Sequence, residues 1–149
     1  MLYTRLTKKA LRLMYDVHKD RVDKGGIPYV FHPYEVAEQM NDEISTCVAL
    51  LHDLIEDSDL TLEYLESAGF PKEVVEAVGL LTHHPNLPYL TYIERLKCNP
   101  IAVKVKLADL QHNLDVSRLD NPSTDDYYRL NNYKVARRVL LENSAPNGG

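Results

Sequence analysis

Residues 49–59 read ALLHDLIEDSD. Apolar residues run straight into His52-Asp53, and Glu56 and Asp57 follow within four positions. On a helix, side chains three and four apart share a face. His52 with Glu56, Asp53 with Glu56 and Asp53 with Asp57 are therefore neighbours. The acids continue a segment, CVALL, that reads as core. Burying carboxylates without partners costs several kcal/mol each, so this end of the segment needs a cation or a network around it. An ordinary solvated acid cluster is the competing reading, and the apolar run before it argues against that.

Helical spacing extends outward from this stretch over nearly the whole chain. Leu6, Ala10, Leu13 and Val17 predict a first helix ending near Asp20. Gly25-Gly26 and Pro28 then break the pattern, predicting a loop over 22–31. Pro33 suits the first turn of a second helix with Val36, Ala37 and Met40 inward. The third helix is predicted over 43–56, with Ile44, Cys47, Val48 and Leu51 facing the core. Thr61 reads as the N-cap of a short helix closed by Gly69, and Pro71 opens another. A helix over YLTYIERLK follows the HHPNLP loop, and Pro100 starts one that runs through to about residue 119. Ile101, Val103, Val105 and Leu107 alternate like a strand, yet Ala102, Val105, Ala108 and His112 keep helical spacing behind a helix-starting proline. The final helix is predicted over 123–142, with DDYYRLNNY as tyrosine packing and 143–149 as a frayed tail. The expectation is an all-α fold with one domain over 1–142.

Bulk properties narrow the function classes. With 149 residues the chain is long enough to bury a real core. A formal charge of −5, with Lys and Arg spread evenly, gives no basic patch for polymeric nucleic acid. A small anionic substrate stays open, because a metal can reverse the field inside one cleft. No stretch approaches the roughly 18 uninterrupted apolar residues of a membrane span. The first residues do not read as a signal peptide, and two distant cysteines, Cys47 and Cys98, read as reduced thiols of a cytoplasmic protein.

Two further positions join the opening stretch. His32 stands at the loop-to-helix junction after GIPYVF, and Asp109 follows another core-like run in VKLADLQHN. His32, His52, Asp53 and Asp109 form a mixed nitrogen and oxygen donor set. Such a set suits Mn²⁺, Fe²⁺ or Zn²⁺ better than an all-oxygen Mg²⁺ or Ca²⁺ site. Four protein ligands leave positions for water, whose pKa falls on the metal so that hydroxide is available near neutral pH.

Three segments, KGGIPYVFHPYEVAEQM (24–40), ALLHDLIEDSDLT (49–61) and VKLADLQHNLDVSRL (105–119), carry a resemblance. In order and spacing they resemble the HD superfamily of metal-dependent phosphohydrolases. The likeness is greatest to the hydrolase domain of the RelA/SpoT family and its small stand-alone relatives, which remove the 3′-pyrophosphate of (p)ppGpp. The resemblance implies an all-α fold and one divalent ion, Mn²⁺ first, on His32, His52, Asp53 and Asp109. It implies that Glu56 and Asp57 orient and deprotonate the attacking water, and that Lys24 meets phosphate. Asn113, on the face of Asp109, is expected to bind sugar or phosphate, and Tyr29 to stack or hydrogen-bond nearby. The implied partner is a small nucleotide. One departure bears on the substrate. The family loop carries Arg-Lys where this chain has Asp23-Lys24, which removes a bidentate phosphate clamp and adds repulsion unless Arg21 reaches across. Asp23 and Ile27 thus keep open a phosphomonoesterase acting on another nucleotide. A catalytically idle metal- or nucleotide-binding module is the second alternative, and the intact Glu56-Asp57 pair argues against it.

His18, His112 and His83-His84 are set apart from the ligand set. His18 is expected to be structural, hydrogen-bonding the loop, with support of the ligands as the lesser reading; orienting Asp109 is likewise the lesser reading for His112, and His83-His84 are expected to be incidental loop residues. Tyr89 and Tyr92 are expected in the core, and Cys47 to be inert on the apolar side of its helix.

Overall fold

The computed structural model describes residues 1–142; the expected tail over 143–149 lies outside them. The described residues form α1 (Arg5–His18), α2 (Phe31–Glu38), α3 (Glu43–Leu51), α4 (Leu62–Ser67), α5 (Lys72–Leu81), α6 (Tyr89–Leu96), α7 (Pro100–Asn113) and α8 (Thr124–Glu142). A short 3₁₀ turn, Val116–Arg118, follows α7. The fold is all-α. The only β pairing among the described residues is an isolated bridge between Val22 and Pro28 that pinches the glycine loop.

α3 is the axle. Ser45–Leu51 are all buried, and α1, α2, α5 and α7 pack around them. Burying a leucine such as Leu50 or Leu51 stabilises the fold by about 2 kcal/mol. Polar side chains at the helix start are absorbed locally. Asp42 caps α3 by accepting from Ser45 N (2.8 Å) and Ser45 Oγ (2.6 Å), and Thr46 Oγ1 donates to the Asp42 carbonyl. α8 lies across α6 and α7, which brings a distant part of the chain over the far end of the site.

Helix starts follow their caps. Thr4 and Thr7 form a reciprocal capping box at α1, and Asn99 with Pro100 opens α7. Thr61 caps α4 as expected, and Gly69 closes it at φ +95°, letting Phe70 N reach the Leu65 carbonyl while the ring is buried. The alternating run of α7 is helix, as its spacing behind Pro100 predicts.

Four expectations need correction. The third helix stops at Leu51 rather than 56, and 52–57 continue as turns. In a continuing helix the Ala49 carbonyl would take the Asp53 N–H. Here it accepts from His52 Nδ1 (2.6 Å), so the side chain caps the helix that carries it. α7 likewise ends at Asn113. Asp115 turns the chain by accepting from Ser117, and the Arg118 guanidinium takes the His112 carbonyl (3.1 Å). The buried face of α1 is centred on Thr7, Ala10, Met14 and His18, with Leu6, Leu13 and Val17 half-buried at its edges. Tyr127 and Tyr128 are exposed, and only Tyr133 of that run packs against the core.

Candidate metal centre and active-site cavity

His32 is the second residue of α2, His52 caps α3, and Asp109 lies in the last turns of α7. These three helix ends converge. One ligand atom from each of His32, His52 and Asp109 lies within 4.8 Å of the others, all three residues being buried. His32 Nε2 is 2.7 Å from Asp109 Oδ1, and His52 Nε2 is 3.4 Å from the same oxygen. Asp53 Oδ2 joins them at 3.2 Å from His52 Nε2 and 3.8 Å from His32 Nε2.

The bonds around this cluster fix its chemistry. His52 Nδ1 faces a carbonyl, so it carries a ring proton, and in the neutral ring a bare Nε2 would face two carboxylate oxygens. That nitrogen is buried and has no hydrogen-bond partner. Lone pairs facing lone pairs repel unless a cation sits among them, so the residues present fit a divalent ion. Protonation answers the same demand: burial would lower the His52 imidazole, but Asp53 and Asp109 outweigh it and hold it well above its usual value. Burial would raise the Asp109 carboxyl, yet Lys106 and the two histidines hold it well below the usual range. Behind the ligands, His32 Nδ1 is 2.7 Å from His112 Nδ1, and Asn113 Nδ2 donates to Asp109 Oδ1 (3.1 Å). Burial and the neighbouring His32 push His112 down to about 4, so its ring is neutral, and the contact between the two Nδ1 atoms turns His32 Nε2 toward the cluster.

His32, Asp53, Asp109 and Asn113 line one wall of a cavity of about 400 Å³, with His52 behind them. Tyr29 donates its hydroxyl to Asp53 in a short bond, and the Arg21 guanidinium lies 4.4 Å over the Tyr29 ring. Arg21 is itself paired with Asp57 (2.6 Å). Asp57 is therefore turned towards α1, where it also lies 4.0 Å from the fully buried His18. Glu56 faces the cavity and accepts from the His83 backbone N–H; burial raises its carboxyl, with that bond opposing. Asn113 and the exposed Lys24 line the same space.

Asp23 is not the repulsive group its position predicts. Its Oδ2 is paired with Arg118 (2.7 Å), and its Oδ1 accepts from Gly25 N (2.8 Å) and Ile27 N (2.9 Å). The loop spends the acid on its own architecture. Arg21, committed to Asp57, is not in its place.

Several cavity residues escape sequence reasoning. Lys106 is largely shielded, with Nζ 2.8 Å from Asp109 Oδ2. Arg129 and Tyr133 arrive on α8, and Arg118 on the turn after α7. His83, expected to be incidental, stacks 4.6 Å from Tyr92 and donates from Nε2 to the Leu87 carbonyl (2.6 Å). Tyr92 is core, bonding the Leu81 carbonyl, whereas the Tyr89 hydroxyl is buried without a partner. Five cationic side chains and six carboxylates line the cavity, so a bound divalent ion would turn the balance positive and favour an anionic ligand.

No family model matches the chain. Over 111 residues, covering 66% of this chain and 61% of the relative, it is 37% identical to human MESH1, named a guanosine-3′,5′-bis(diphosphate) 3′-pyrophosphohydrolase. Over 121 residues it is 31% identical to a Synechocystis protein named as a probable enzyme of the same activity, covering 71% of this chain and 16% of that protein. The chain thus spans about three fifths of one relative's length and about one sixth of the other's. A solved structure of a metazoan orthologue of SpoT, described as hydrolysing ppGpp, superposes with a TM-score of 0.78 at 25% identity, covering 96% of this chain and 87% of that one. By sequence and by fold the chain is thus similar to proteins named as guanosine-3′,5′-bis(diphosphate) 3′-pyrophosphohydrolases.

Proposed function

We propose that residues 1–142 form a cytoplasmic, metal-dependent hydrolase that removes the 3′-pyrophosphate of guanosine-3′,5′-bis(diphosphate) or its triphosphate counterpart. The observation that carries this reading is the meeting of His32, His52 and Asp109, with Asp53 beside them, where His32, Asp53 and Asp109 line a cavity that Glu56 also faces. His32, His52, Asp53 and Asp109 would hold one divalent ion, and the mixed donor set favours Mn²⁺, with Fe²⁺ or Zn²⁺ as alternatives. When bound, the ion supplies Lewis acidity that acidifies water and stabilises charge on phosphate.

The chain's own residues do the rest. Glu56, raised by burial and anchored by the His83 N–H, takes the proton of the attacking water. Asp57 acts by orientation, holding Arg21 over Tyr29, whose hydroxyl in turn fixes Asp53. Asn113 holds Asp109 and offers its amide at the cavity wall, where sugar or phosphate oxygens would lie. Lys24 at the rim neutralises the departing pyrophosphate. Water adds to the phosphorus on the ribose 3′ oxygen, the bond to that oxygen breaks, that oxygen takes up a proton from solvent, and GDP or GTP leaves with pyrophosphate.

The test is separation of products after incubating the purified protein with Mn²⁺ and a nucleotide panel that includes ppGpp. Pyrophosphate and GDP from ppGpp are expected. Orthophosphate from another nucleotide would keep the hydrolase and discard this substrate. No turnover with metal bound would discard the hydrolase.

A further inference from the structure

Arg118 ties together two segments that the sequence holds almost a hundred residues apart. Its NH1 is 2.7 Å from Asp23 Oδ2, and its NH2 donates to the His112 carbonyl (3.1 Å) at the end of α7. The two segments also touch through backbone. A Cβ added at Gly25 would collide with the Arg118 carbonyl oxygen, so only glycine allows the loop to lie this close. Asp23 divides its labour: Oδ2 takes the guanidinium, while Oδ1 holds the Gly25 and Ile27 amides and shapes the turn around Lys24. Both side chains of the pair are largely shielded, at 21% and 14% exposure, so solvent screens the pair less than a surface one. The Arg118 Nε is buried with no partner, so NH1 and NH2 alone fix the guanidinium.

We propose that Asp23 and Arg118 are positioning residues: their ion pair fixes the Gly25 loop against the end of α7 and sets Lys24 at the rim of the cavity. The inference rests on the hydrolase reading above for its kinetic consequence. Substrate binding through Lys24 depends on where the loop tip stands, whereas His32 lies on α2, Asp109 on α7, and His52 and Glu56 in the turns after α3, away from the Asp23 contact. Loosening the tie therefore raises KM and spares kcat.

The substitutions separate the contacts. Asp23→Asn keeps an Oδ1 acceptor for the two amides and sets a donor against Arg118 NH1 in place of the ion pair. Arg118→Met removes both donors, and Arg118→Lys keeps the charge. Asp23→Asn and Arg118→Met should each raise KM for ppGpp about fivefold with kcat within twofold, the scale of one partly shielded ion pair. The double variant should be no worse than the worse single, because the two changes break one contact. Arg118→Lys should recover part of the loss. Unchanged KM in both single variants, or effects that multiply in the double, would overturn the proposal. A second readout needs no turnover. Trypsin should cut after Lys24 several-fold faster in Arg118→Met than in wild type, at matched thermal stability, and Arg118→Lys should slow it again. Equal cutting would overturn the tie. Failure of wild type to hydrolyse any nucleotide would remove the hydrolase reading and leave the proteolysis to decide the tie alone.

Discussion

Replacing His112 should weaken metal binding without unfolding the protein. The ring is half-buried and its Nδ1 meets His32 Nδ1 at 2.7 Å, the bond that turns His32 Nε2 toward Asp109 Oδ1. In His112→Ala the His32 ring loses that bond, so both its tautomer and its rotation are released. Loss of a group that orients a metal ligand lowers affinity by about 10- to 100-fold, or about 1.4–2.7 kcal/mol at 1.36 kcal/mol per decade. His112 lies at the end of α7 with no part in the buried apolar core, so the thermal midpoint should move by only a few degrees. The assay is titration calorimetry of Mn²⁺ into metal-free wild type and His112→Ala, with thermal unfolding of both metal-free proteins as the control. His112→Asn, whose amide can still accept or donate, should lie between them. Equal Mn²⁺ affinity in wild type and alanine variant, at equal stability, would refute the claim that this bond orients a ligand.

Three other outcomes follow from different parts of the molecule. Glu56→Gln should keep Mn²⁺ and nucleotide binding but lose turnover by at least about 100-fold, the usual weight of a general base; a fully active variant would remove Glu56 from proton transfer. Leu50→Ala leaves a cavity in the middle of α3 and should destabilise by about 3 kcal/mol, read from urea midpoints; a loss under 1 kcal/mol would mean the helix is not the packing centre. Burial pushes the Cys47 thiol up to about 12, so the reactive thiolate is scarce at neutral pH, while Cys98 is exposed. A thiol reagent should therefore titrate one cysteine in the native protein and two in denaturant, and two fast native thiols would contradict the buried placement of Cys47.

Much of this architecture is legible residue by residue. Thr61, Gly69, Pro71 and Pro100 mark helix ends because caps, positive φ and the missing proline N–H are local chemistry. Cys47, Val48 and Leu51 are buried as their spacing predicts, but so are all of Ser45–Leu51 because helices surround α3, while Ile44 is only half-buried. His32, His52, Asp53 and Asp109 are legible as candidates because ionisable groups at the ends of apolar runs need partners. Even there, local reading overran. It extended the helices through 52–56 and 114–119, where His52 and Arg118 side chains take carbonyls that further helix would have used.

What the sequence alone determined was the helical fold and the residue types that would have to meet. Only the tertiary structure decided which charges cancel. Asp23 reads as an obstacle to phosphate, and Arg118, 95 positions away, makes it a strut. Asp57 reads as the twin of Glu56, and Arg21 turns it to a different wall. Lys106, unremarkable in the sequence, is paired with Asp109 at the cavity. The physical reason is common to all three. Caps and helical faces depend on neighbours within about four residues, whereas an ion pair depends on distance in space, and no local spacing encodes which distant helix end will arrive beside it.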